Sequence, residues 1–213
     1  MAVNLQSLKQ IQLEIKTISP KTKLLIVSKN QSIVDINQLL DLGCYNFGEN
    51  KVQEALTKFS NHNKRKKIDL HLIGPLQTNK AKQALLTFNT IQSLDRYKLV
   101  NEILKIKKKT TILTKEFYIQ VNIGYEEQKS GITVSELESF YNYCLDHNLN
   151  IVGIMCIPPI GEASEKYFKL MKDLRNKINK SLLISMGMSG DYIKALSFES
   201  NIIRIGSKIF NEK

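Results

Sequence analysis

Apolar residues recur along this chain in two patterns. The first is helical. Leu5, Leu8, Ile11, Ile15 and Ile18 fall three or four positions apart until Pro20 stops the run. The second is a short unbroken apolar run, the mark of a strand buried on both faces. Leu24-Leu25-Ile26-Val27 is the clearest case, within an expected strand at 23–28. The two patterns then alternate. Ser32 can cap a helix that carries Ile33, Ile36, Leu39 and Leu40 and ends near Gly43. Further strands are expected at 44–47, 69–73, 90–93, 117–123, 150–155, 182–185 and 202–205. Between them the spacing predicts helices at 49–59, 78–86, 162–179 and 191–196. Another starts at Asp95 as its cap and bears Leu99, Ile103 and Leu104. Thr133-x-x-Glu136 reads as a capping box ahead of Leu137, Phe140, Tyr141 and Cys144.

About eight apolar strands separated by helices imply a parallel sheet, and eight units suggest closure into a (β/α)8 TIM-type barrel. The expectation is a single α/β domain over 1–213 with an extra N-terminal helix. A doubly wound open sheet is the rival arrangement. The composition, 42% hydrophobic and 24% charged, is that of an ordinary globular protein. No apolar run reaches the about 18 residues of a membrane span. Residues 1–9 lack the basic start and apolar core of a secretory signal. Cys44, Cys144 and Cys156 are odd in number and widely spaced, which fits free thiols in a reducing compartment, hence the cytoplasm. His62, His71 and His147 have no ligand-like spacing, so no metal site is expected.

The net charge of +11 concentrates in lysine runs at 64–67 and 105–109, each between a helix and the next strand. A solvated basic surface accounts for them, and RNA is the alternative partner. No aromatic ladder interleaves with the lysines, so nucleic acid is not expected.

The candidate chemistry lies at strand ends. Lys29 closes the first strand. The loops Ser185-Met186-Gly187-Met188-Ser189-Gly190 and Gly206-Ser207 follow the last two strands. Loops after strands seven and eight of such barrels often hold phosphate, because glycines let backbone N–H groups approach an anion. The short helix after Ser189 would aim its positive end at the same point. A lone lysine at a strand end is usually a solvent-facing charge, whereas the apolar strand before Lys29 favours a partly desolvated, nucleophilic amine. Arg204 would lie beside the Lys29 strand once the barrel closes. It could pair with a carboxylate or donate to a pyridine nitrogen. Lysine, arginine and a phosphate cup together are the parts of a pyridoxal phosphate site.

At these residues the chain resembles the pyridoxal phosphate homeostasis protein family, the alanine racemase N-terminal-domain-like family. The matching segments are Val-Ser-Lys at 27–29, Phe-Gly-Glu-Asn at 47–50 with Val52-Gln53-Glu54, and the stretch from His71 through Gly74-Pro75-Leu76-Gln77-Thr78-Asn79-Lys80. They continue with Val121-Asn122-Ile123, Lys129-Ser130-Gly131, Gly153 through Pro158-Pro159, the 185–189 loop with Asp191, and Arg204-Ile205-Gly206-Ser207. The resemblance implies a barrel like that of alanine racemase that binds pyridoxal 5'-phosphate. Lys29 would be the Schiff-base lysine and Arg204 would face the pyridine nitrogen. Ser189, Gly206 and Ser207 would hold the phosphate, with Met188 and Asn50 lining the site. Lys129 matches a second lysine, a candidate for transimination.

The implied role is to buffer and deliver the cofactor, with apo-enzymes as recipients, as a monomer and without a dedicated reaction. A low-activity amino-acid racemase is the alternative, but no second acid/base can be pointed to in the sequence. A phosphosugar-binding barrel using Lys29 as an aldolase-like amine would share the same loops. Where the family usually has Thr and Pro after the lysine, this chain has Asn30-Gln31-Ser32, and Asn211 replaces a usual glycine. Both changes flank the site without replacing a named ligand.

Overall fold

The computed structural model describes residues 3–210. Helix α1 (Leu5–Ile18) precedes strand β1 (Lys23–Val27). Then come α2 (Ile33–Asp41), β2 (Asn46–Glu49), α3 (Val52–Phe59), β3 (Asp69–Leu72), α4 (Ala81–Thr87), β4 (Thr90–Leu94) and α5 (Tyr97–Lys107). The chain continues through β5 (Glu116–Val121), α6 (Leu137–Asp146), β6 (Ile151–Cys156), α7 (Ser164–Ile178), β7 (Leu183–Ser185), α8 (Tyr192–Ser197) and β8 (Ile202–Ile205). All strand pairings are parallel and follow chain order. The sheet closes by pairing Leu25 with Arg204 and Ile26 with Ile205. The fold is therefore a (β/α)8 barrel, and the open doubly wound sheet is excluded.

Strand alternation divides the core in two. Leu25, Ile73, Tyr118, Met155 and Ile202 pack together inside the barrel. The intervening residues, such as Ile26, Phe47, Leu72, Ile119 and Ile203, join the larger core beneath the helices. That is why the strands read as unbroken apolar runs. Helix α1 buries Leu8, Ile11 and Ile15. It is tied to the end of the chain by Asn4 N–H donating to the Ile209 carbonyl (2.8 Å) and by the Tyr192 hydroxyl on Glu14.

Element bounds differ from expectation where capping or pairing decides them. Strand β2 starts at Asn46 rather than Cys44, because Cys44 N–H still bonds back to Leu39 of the preceding helix. Asp95 is not a helix cap. It pairs with Arg96, whose guanidinium donates to the Leu76 carbonyl (2.7 Å) and Thr78 Oγ1 (3.1 Å). The Ser32 cap forms as expected, within a full capping box with Asp35. Of the expected Thr133–Glu136 box only half forms, one turn ahead of α6. Glu136 N–H donates to Thr133 Oγ1 (3.3 Å), but the Glu136 carboxylate accepts from the Thr133 hydroxyl (2.5 Å) and not from its backbone N–H. The 64–67 lysines fall between α3 and β3 as expected, whereas the 105–109 run starts inside the last turn of α5 and only its end lies in the loop before β5. Both are at the barrel end opposite the loops considered next. Among the described residues no helix is long and apolar enough to cross a membrane.

Candidate functional site

The carboxyl ends of the strands surround a cavity of about 360 Å³, within the usual small-molecule range. It brings together Lys29, Asn50, Lys129, Met188 and Arg204 with Gln120. Lys29 continues the inward alternation of Leu25 and Val27. It is exposed at the mouth, so the expected desolvation of its amine is not met.

A polar clamp fixes the backbone that carries Lys29. Ser28 Oγ donates to Glu49 Oε1 (2.7 Å). Lys58 Nζ donates to the Ser28 carbonyl (2.6 Å), Glu49 Oε1 (3.0 Å) and Glu54 Oε1 (2.6 Å). Asn30 N–H reaches Glu54 Oε1 (2.5 Å) from a left-handed backbone (φ 60°). Burial pushes the Glu49 carboxyl up, against the pull of Ser28 and Lys58. Despite its own burial, Glu54 is held below the ordinary range by Lys58 and Asn30 N–H.

Arg204 is 3% exposed and pairs with no carboxylate among the described residues. Its Nη1 donates to Ser185 Oγ (2.8 Å) and Nη2 to the Cys156 carbonyl (2.7 Å). Burial lowers its basicity, yet a guanidinium stays charged in a protein. The Cys156 thiol is pushed up to about 12 by burial and remains neutral. Lys129 pairs with Glu126 (2.5 Å) and donates to the Pro158 carbonyl (3.3 Å). Asn122 organises its loop, accepting from Glu126 N–H (3.2 Å) and donating to the Glu126 carbonyl (2.8 Å).

Ser189, Gly206 and Ser207 do not line the cavity. Ser189 follows Met188 and Gly206 packs against Val27, both of which do. A Cβ on Gly206 would lie 3.2 Å from the Val27 carbonyl, and Gly187 (φ +93°) accepts from Arg204 N–H (2.9 Å). Among the described residues, the backbone N–H groups of Ser189, Gly190, Gly206 and Ser207 bond to no protein backbone acceptor. The expected helix end is different. Helix α8 is one short turn and a half, and the Asp191 carboxylate at its start accepts from Met188 N–H (2.7 Å). An acid thus occupies the position expected to attract an anion.

Sequence reasoning missed Gln120. Its Nε2 donates to the Ser130 carbonyl (2.9 Å), while its buried Oε1 has no partner. The available signal was a glutamine inside the apolar strand Phe117-Tyr118-Ile119-Gln120-Val121.

The family described as alanine racemase, N-terminal domain, matches residues 3–212. The chain is 37% identical over 202 residues to the pyridoxal phosphate homeostasis protein of Aquifex aeolicus, covering 90% of this chain and 87% of the relative. The chain belongs to the pyridoxal phosphate homeostasis protein family. A second member, from Helicobacter pylori, is 37% identical over 199 residues, covering 89% of this chain and 87% of that one. Among solved structures, PipY of Synechococcus elongatus without pyridoxal phosphate superposes with a TM-score of 0.86 at 27% identity, covering 97% of this chain and 99% of PipY. PipY with pyridoxal phosphate bound gives 0.82 at 25% identity, with the same coverage. Alanine racemase of Corynebacterium glutamicum, at 14% identity and a TM-score of 0.68, shares the fold over 62% of its length and all of this chain.

Proposed function

We propose that this chain binds pyridoxal 5'-phosphate at the barrel mouth, buffers it and delivers it to apo-enzymes, without a dedicated catalysed reaction. The observation that carries this reading is the meeting of Lys29 and Arg204 on one cavity, flanked by uncommitted backbone N–H groups. The donor set fits the group. N–H groups of Ser189, Gly190, Gly206 and Ser207 suit a phosphate, and the hydroxyls of Ser189 and Ser207 add donors. Arg204 can only donate, so it suits an unprotonated pyridine nitrogen and leaves the ring a weak electron sink. Asn50 and Met188 shape the wall, and Gln120 Oε1 offers an acceptor.

When bound, pyridoxal phosphate supplies an aldehyde that condenses reversibly with amines. Lys29 presents the anchoring amine on a backbone fixed by Ser28 and Lys58. Lys129 is held against Glu126 and offers a second amine only after parting from that carboxylate. We take the barrel to act as a single domain and a monomer in the cytoplasm, which size-exclusion chromatography with light scattering checks for mass.

The test is visible absorbance after incubation with pyridoxal phosphate, then borohydride reduction and peptide mapping. A phosphopyridoxyl group on Lys29, lost in Lys29→Ala, is the expected outcome. A colourless, unmodified protein would favour the phosphosugar reading instead. Solvent deuterium exchange at the α-carbon of L-alanine should not exceed that of free cofactor; faster exchange would support a racemase.

A further inference from the structure

The barrel interior holds a row of polar side chains where bulky apolar residues are the rule. His71, Gln92, Ser185 and Arg204 are all at most 4% exposed. Arg204 Nη1 lies 2.8 Å from Ser185 Oγ, which lies 2.7 Å from Gln92 Oε1. Gln92 Nε2 lies 2.9 Å from His71 Nδ1, and His71 Nε2 lies 3.2 Å from Asp69 Oδ2. The row runs from the cavity to Asp69, the first residue of β3, at the opposite end of the barrel.

A guanidinium has no acceptor, so Ser185 Oγ accepts from Arg204 and keeps its own hydroxyl proton to donate. The structure sets Gln92 Oε1 against Ser185 Oγ and Gln92 Nε2 against His71 Nδ1, so Ser185 donates to Gln92 and the Gln92 NH2 donates to His71. His71 Nδ1 must then accept, which leaves the ring proton on Nε2, facing Asp69. That Nε2–H hydrogen bond, together with Lys23 and Arg65, holds the Asp69 carboxyl below its ordinary value despite burial. We propose that His71, Gln92 and Ser185 are positioning residues for Arg204. Their one-way hydrogen-bond chain holds the guanidinium against the cavity and keeps His71 as the neutral Nε2–H tautomer. The positioning role rests on the reading that the cavity takes pyridoxal phosphate with Arg204 at the ring nitrogen; the chain itself does not. Fully satisfied buried networks of this kind specify one arrangement of their members.

Two measurements test this. The first uses 15N-labelled protein without cofactor and long-range 1H–15N spectra of the imidazoles, with His71→Asn identifying the His71 signals. The expected wild-type result is an unprotonated Nδ1 at pH 7.5. Gln92→Glu replaces the NH2 donor by an acceptor and should convert Nδ1 to a protonated donor. A wild-type His71 protonated at Nδ1, or a signal indifferent to Gln92→Glu, would overturn the chain. The second is titration with pyridoxal phosphate, read by the absorption of the bound form. His71→Leu and Gln92→Leu should weaken binding about tenfold and shift the band. His71→Asn retains an acceptor for Gln92 and should recover most of the affinity, which a mere packing role would not predict. Folded His71→Leu protein with wild-type affinity and spectrum would refute the positioning role. If wild type binds no pyridoxal phosphate, the proposed function and the positioning role fall together, while the imidazole spectra still decide whether the chain exists.

Discussion

Glu49 is fully buried beside the strand end that presents Lys29, and Lys58 is the cation that neutralises it. Lys58→Met would leave that carboxylate with the Ser28 hydroxyl alone. Breaking one side of a buried pair should cost about 3 kcal/mol in urea unfolding at pH 7. Adding Glu49→Gln should recover much of that loss, because the stranded charge is gone. Equal stability of Lys58→Met and wild type would show that the pair is solvent-screened. Lys29 and Arg204 were legible in the sequence because each closes an apolar run before a polar turn. Gln92 and Gln120 were not, and Ser185 was read as the head of a phosphate loop and not as an inward residue of β7, because a polar letter inside a strand does not say which partner it meets. For Lys29 the sequence left a solvent-facing and a partly desolvated amine both open, and loops from other strands decided for exposure.

Helix and strand ends follow local chemistry, and two can be tested directly. Ser32→Ala removes the N-cap acceptor of α2 and should cost about 1 kcal/mol by denaturant titration. In β6, a Cβ on Gly153 would lie 2.4 Å from the Leu183 carbonyl and 2.4 Å from Tyr118 Cε1. Gly153→Ala should therefore cost about 1–3 kcal/mol as Tyr118 or β7 is displaced. A neutral effect there would mean that the ring can move without loss. At this scale the hydrophobic period located every strand and helix. It missed bounds where a side chain intervenes, as with Asp95, which turns to Arg96, and Asp191, which turns to Met188 N–H.

For the whole molecule, acidic groups pull stability in opposite directions. Glu54 and Asp69 sit below their ordinary values of 4.5 and 3.8 despite burial. The unfolded chain takes up those protons first, so their stabilisation is present at neutral pH and lost as pH falls through the folded values. Glu49 and Asp95 are pushed up by burial, so the fold takes up their protons first. Acidification through the window just above their ordinary values of 4.5 and 3.8 therefore adds stability. The urea midpoint should hold or rise slightly from neutral pH to about 5 and fall below that. Glu49→Gln should diminish the rise. A steady fall from neutral pH in wild type would mean that the groups held low dominate throughout.

The sequence by itself determined the alternation of strands and helices, the barrel as the arrangement that alternation suggests, and the lysine, arginine and glycine-rich turns at strand ends. These are local properties, written in the spacing of apolar residues and in turn chemistry. Tertiary structure alone decided which inward side chains meet. Ser185 and Gln92 are 93 residues apart, and their contact exists only because the sheet closes. Closure also sets Arg204 opposite Leu25 and so beside the strand that ends at Lys29. Register across eight strands fixes such encounters, and no stretch of sequence carries that register alone.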